Sequence, residues 1–238
     1  MPPNEPEPTV DDILMAGAAL VAEFERLRAE SGWAGQDAER ERPVLSLLSW
    51  DLSQFMAASL ETAAAGRWSV AHSFPRLIQE RAEYLIAAHA DPKFAMQLWG
   101  ALEALEHVEY DDGKIPRIRE GIARGIVRKW SEGRTNDATG SRRFLENLIR
   151  MKDVGSLMVH PSLAAILMGH SAAADSLGAD AHAIAGNLAH ESYFAFMALV
   201  GVVSERNLDS WNAHTALAVA AEMKPLLDAV VRRPKEHD

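Results

Sequence analysis

The chain has 238 residues, of which 48% are hydrophobic and 24% charged, with a formal net charge of −10. That length suffices to bury a substantial core, and the absence of cysteine excludes disulfides and thiolate metal sites. The negative balance argues against a dedicated nucleic-acid binder, whose affinity rests on phosphate contacts.

Apolar residues recur at helical spacing nearly throughout. Residues 1–8 lie in a proline- and acid-rich N-terminus, MPPNEPEPTVDD, expected to be disordered. A secretory signal would need a basic start and an apolar run there, so a cytoplasmic protein is expected. Thr9 followed by Asp12 reads as a capping box opening a helix to about Ser31, with Ile13, Ala16, Leu20 and Phe24 on one face. Trp33 to Arg42 is a polar connection. Pro43 suits the first turn of a second helix, which carries Leu45, Leu48, Leu52, Phe55 and Met56 and stops near Gly66. A third helix is expected from Arg67 to about Ala88. Asp91-Pro92 caps and starts a fourth, ending before Asp112-Gly113.

The fifth helix, about Ile115 to Ser131, lies in a segment where the charge reverses. Between Lys114 and Lys152 eleven Lys or Arg face only four acids, leaving −17 on the rest of the chain. Such asymmetry marks a candidate face for an anionic ligand or an acidic partner. On a helical wheel Ile115, Ile118, Ile122, Ile126 and Trp130 form one apolar arc, with Lys114, Arg117, Arg124 and Arg128 opposite. Gly121 and Gly125 lie beside that basic stripe, at about 1 kcal/mol each relative to alanine. They suit either close approach by another helix or room for a ligand beside the guanidinium groups. A solvated basic face accounts for the same pattern.

Ser141 begins a further helix through Met151, and a short one follows His160-Pro161. Two long helices close the chain, about Ala179 to Ser204 and about Asp209 to Val231, before a frayed tail at 233–238. No internal repeat or sharp composition shift divides the chain. The expected architecture is all-α, a single bundle of eight to ten helices over residues 9–232. The longest apolar stretch, Tyr193 to Val203, is too short to span a bilayer. Packing surface offered by residues such as Trp50, Trp68 and Trp211 suggests a homo-oligomer.

Several polar residues fall where chemistry or packing must account for them. Arg81 sits inside the apolar arc formed by Phe74, Leu77, Ile78 and Leu85, so it must snorkel or find an acid on a neighbouring helix. Arg76, Glu80 and Tyr84 form a four-residue ladder that pairs along the helix or lines a pocket facing His160. His160 is placed to cap carbonyls, titrate or act as a general base. Together Arg76, Glu80, Arg117, Arg124, Arg128 and His160 are the candidate ligand-binding residues. No catalytic residue is assigned, and a non-enzymatic binding module is the expected function. A pocketed sensor or enzyme is the alternative.

No Glu stands three residues before any of the nine histidines, and no His-x-x-x-His occurs, so di-iron and zincin patterns are missing. Glu103, His107 and Asp111 read as a solvated acidic face. Asn187, His190 and Glu191 read as an interhelical hydrogen-bond network. No metal or cofactor is expected.

The order of features resembles a bacterial all-helical family, domain-of-unknown-function family five-six-seven-seven, over about residues 57–170. The resemblance is carried by Gly66, Arg76-x-x-x-Glu80 with Tyr84-Leu85, the basic helix with Trp130, and Met158-Val159-His160-Pro161-Ser162. Where that family often shows Tyr and Ser before the histidine, this chain has Ile149 to Gly155. The resemblance implies a fold without an activity. Arg206-Asn207 with His214 also resembles the Arg-polar-x-His arrangement of HEPN-type ribonucleases, though the intervening residues exceed that spacing and Asp209 and Asn212 suggest a new helix between them.

Overall fold

The computed structural model describes residues 8–30, 41–107, 120–132 and 179–205, with 218, 221, 222, 224 and 225. These residues are helical apart from short turns, and no strand occurs among them. The helices are α1 (Val10–Glu30), α2 (Glu41–Ala64), the single turn α3 (Trp68–Ala71), α4 (Phe74–Ala90), α5 (Pro92–His107), α6 (Glu120–Glu132) and α7 (Ala179–Glu205). The expected eight to ten helices are therefore not supported: the described residues hold six long helices and one single turn. The helices expected over 141–151 and after His160-Pro161 lie outside the described residues, as does most of the one expected over 209–231.

Local chemistry sets three of the helix ends. The Thr9 hydroxyl and backbone N–H both donate to Asp12 Oδ2, at 2.7 and 2.8 Å, and the Asp12 N–H returns a bond to Thr9 Oγ1 at 3.2 Å. This is the expected capping box, with Asp replacing the commoner Glu. At the end of α2 the Gly66 N–H donates to Ala63 O at 2.8 Å and the Arg67 N–H to Thr62 O at 3.0 Å, with Gly66 at φ +71°. The pair forms a Schellman stop, whose left-handed residue favours glycine. The Lys93 N–H donates to Asp91 Oδ1 at 2.9 Å, so Asp91 caps α5 and Pro92 fills its first position.

One expected helix divides. The run from Arg67 to Ala88 breaks after Ala71, and α4 begins at Phe74. Pro75 lies in the first turn of α4 and has no N–H to offer the carbonyl of Ala71, so the α3 ladder cannot continue through it.

Around the core, α1 packs on α7 and α2, and α4 packs on α2, α5, α6 and α7. Ile13, Ala16, Leu20 and Phe24 of α1 are buried as their spacing predicts. Leu45, Leu52 and Met56 of α2 are fully buried, while Leu48 and Phe55 pack at the margin. Gly17 allows α1 and α2 to approach closely, since a Cβ there would stand 2.8 Å from Leu60 Cδ2. Trp68 is buried, whereas Trp50 is half exposed and lies one turn from exposed Leu47 on the outside of α2.

The central position of α4 has a chemical consequence. A helix packed on several sides buries more than one stripe. Gln79, Ala82, Glu83 and Ile86 form a second buried stripe beside that of Ile78 and Leu85. Two polar side chains, Gln79 and Glu83, are thereby carried into the interior.

Candidate functional site

Arg76 and Glu80 pair with each other: Arg76 Nε donates to Glu80 Oε1 at 2.8 Å, one turn apart on α4. The ladder is thus a partly buried ion pair along one helix. Arg117 and His160 lie outside the described residues, as do Arg206, Asn207 and His214.

Arg81 finds its acid across the helix interface. Its Nε donates to Asp51 Oδ2 on α2 at 2.6 Å, and Nη1 donates to Leu77 O at 3.2 Å. The guanidinium carbon lies 3.4 Å from the centre of the Phe55 ring. The cation is held by a carboxylate, a carbonyl and a π face together, which joins α2 to α4.

The basic helix faces differently from the expected arc. Ala123 and Val127 are its buried residues, with Ile126 and Trp130 packed beside them, while Ile122 is 42% exposed. The seam against α4 runs through the smaller side chains at 123 and 127, and Ile122, about 100° away around the helix, turns outward. Among the described residues nothing stands within 4 Å of a Cβ built on Gly121 or Gly125, so neither glycine admits a described neighbouring helix. Both face outward with Ile122, Arg128 and Lys129, and Arg124 is half buried at their side. The outer surface of α6 is therefore a basic strip crossed by bare backbone.

The least expected polar group is Glu191 on α7. It is 1% exposed, and among the described residues neither carboxylate oxygen has a hydrogen-bond partner. His190 Nδ1 lies 3.8 Å from Glu191 Oε1, within ion-pair range but beyond a hydrogen bond, and is itself buried without a partner. Gln79 of α4 lies close enough to favour the ionised carboxylate, yet makes no hydrogen bond of normal geometry with it, and its own Oε1 is unpartnered. Burial pushes the Glu191 carboxyl above the ordinary carboxylate range, and His190 and Gln79 draw it back only in part. Next along the helix, the Ser192 hydroxyl is buried and unpartnered too.

Of the network expected around Asn187, His190 and Glu191, the interhelical part is the approach of Gln79 on α4 to Glu191, with His190 beside it on α7. Asn187 is exposed, and the other two residues meet Gln79 with their polar atoms unmatched. Glu191 could be singled out in the sequence as an acid beside the apolar run that begins at Tyr193. Gln79 gave no such signal, because its burial depends on α7 covering that side of α4. The ring of His190 meets Phe194 edge-on at 4.3 Å between centroids, and Phe194 meets Tyr193 at 6.0 Å, adding aromatic surface beside the cluster.

No group of three His, Cys, Asp or Glu able to hold a metal occurs among the described residues. No described helix is long and apolar enough to cross a membrane. No protein-family model, curated protein or solved structure matches this chain.

Proposed function

We propose that this chain is a non-enzymatic binding module that takes an acidic protein segment on the outer face of α6 and works as a homo-oligomer. The observation that carries this proposal is the α6 strip itself. Two glycines with open space above them stand beside Arg128, Lys129 and exposed Ile122. Bare backbone lets a partner main chain approach, arginine and lysine supply charge, and Ile122 supplies apolar contact. A chain of net −10 carrying a local basic surplus also favours steering of acidic partners to that one face. Arg76 and Glu80 already satisfy each other, which supports a structural role for them.

A fluorescein-labelled polyglutamate peptide is a direct probe. It should bind the wild-type chain at low ionic strength and weaken as salt screens the charges, within a Debye length of about 10 Å at 0.1 M. The triple change Arg124→Glu, Arg128→Glu and Lys129→Glu should abolish binding while the helical circular-dichroism signal persists. Equal binding by wild type and triple variant would remove α6 from the interface. Native mass spectrometry should give a multiple of 26.1 kDa, and a monomer alone would remove the oligomer.

A further inference from the structure

The large apolar side chains exposed among the described residues are Met15, Leu47, Trp50, Val70, Met96 and Ile122. Met15 lies one turn from exposed Asp11, Val70 one turn from exposed Arg67, Met96 one turn from exposed Lys93, and Ile122 within the basic strip of α6. Leu47 and Trp50 differ. They stand one turn apart on α2, 48% and 50% exposed, with exposed Gln54 a further turn along the same line. Between Ser46 and Ala58 the helix carries a single charged residue, Asp51, and Arg81 binds that carboxylate at 2.6 Å. The outer face of α2 is thus apolar and electrically balanced, on a chain of net −10.

We propose that this face of α2 is where two copies of the chain meet; the inference rests on the homo-oligomer reading above and gives that assembly its interface. A two-fold contact sets a surface against itself, so an uncompensated charge on it opposes its own copy. Two chains of net −10 repel, and a balanced face lets them approach without adding to that repulsion. The surfaces around Met15, Val70, Met96 and Ile122 each carry a charge that would meet its like. A charged partner of another kind finds little to pair with on α2, because Arg81 and Asp51 already engage each other. A two-fold axis passing between Leu47 and Trp50 sets each indole on the other copy's leucine. Tryptophan is enriched among the residues that dominate interface energies, its ring supplying apolar area while its N–H reaches the polar rim.

Sedimentation velocity over a dilution series tests the assignment. The wild-type protein should sediment as a dimer of the 26.1 kDa chain. Trp50→Glu brings two carboxylates together across the axis, and Leu47→Glu does the same one turn away. Each should weaken the dimer at least about thirtyfold, as for a residue central to an interface, with the helical circular-dichroism signal unchanged. Because the chain has no cysteine, Leu47→Cys carries a single thiol. A short bismaleimide should join two copies through it, and should not do so through Met15→Cys. The crosslink keeps the test decisive should a charged variant fail to fold. A dimer that persists in both charged variants, or that crosslinks through position 15 and not through position 47, overturns the α2 assignment and leaves the oligomer standing. A wild-type chain that stays monomeric at every concentration overturns both.

Discussion

Glu191 and Asp12 are both carboxylates, and their surroundings move them in opposite directions. Asp12 is exposed and lowered chiefly by the Thr9 hydroxyl, so its capping contribution is present above the ordinary carboxylate range and lost as pH falls through its folded value. Glu191 is raised by burial from an ordinary value of 4.5. Below that value the carboxyl is protonated whether the chain is folded or not. Above it the unfolded chain ionises while the folded one keeps its proton, so stability falls as pH rises, until the folded group also ionises. The slope is at most about 1.4 kcal/mol per pH unit for one proton. Urea midpoints from pH 4 to 9 should therefore decline in the wild type and flatten in Glu191→Gln, with the variant more stable at pH 8. A variant as pH-dependent as the wild type would place the titration elsewhere. Arg81 supplies a second residue-scale test. A double-mutant cycle of Asp51→Ala and Arg81→Ala should give a coupling of about 0.5–1 kcal/mol, small because both partners remain partly exposed. That Arg81 needed an acid was legible in its place within an apolar arc. Which acid answered was not, since Asp51 is thirty residues away.

Three helix ends were legible because a capping residue or a glycine sets them locally. Thr9 with Asp12, the glycine at 66 and Asp91-Pro92 each act within a few residues, so their spacing alone locates α1, the end of α2 and the start of α5. The break before α4 depends on Pro75 and was also local, though the apolar periodicity running through it concealed it. Glycines of one residue type should respond oppositely to one substitution. Gly66→Ala forces a side chain into the left-handed region and should destabilise the protein by about 1 kcal/mol. Gly125→Ala meets open space on an outward helix face and should stabilise it by about 0.5–1 kcal/mol. Thermal midpoints of the two variants check both signs. A destabilising Gly125→Ala would mean that this glycine is held for a partner's approach, with the partner present in the sample.

Across the whole molecule, the first described helix and the long α7 pack most extensively on each other. The His182 ring on α7 also meets the carbonyl of Pro8 at 3.0 Å, tying the start of α1 to α7. Contacts between segments so distant in sequence make folding cooperative, because neither helix can bury its apolar face alone. Deleting residues 1–30 should uncover the side of α7 that packs on α1 and abolish the cooperative thermal transition followed by circular dichroism. A truncated chain that still melts sharply would show that α1 is an accessory to the core.

Helical class, the charge reversal and the capped ends follow from the sequence by itself, because periodicity, composition and capping act over one or two turns. Only the tertiary structure decided which face of each helix is interior. Packing of α4 on several sides buried Gln79 and Glu83, and the contact of α6 through Ala123 and Val127 turned Ile122 and two glycines outward. The covering of Glu191 by the bundle raised its carboxyl and left its oxygens unmatched. Burial and pairing depend on which helix lies across from a residue, and that is settled by contacts between segments far apart in the chain.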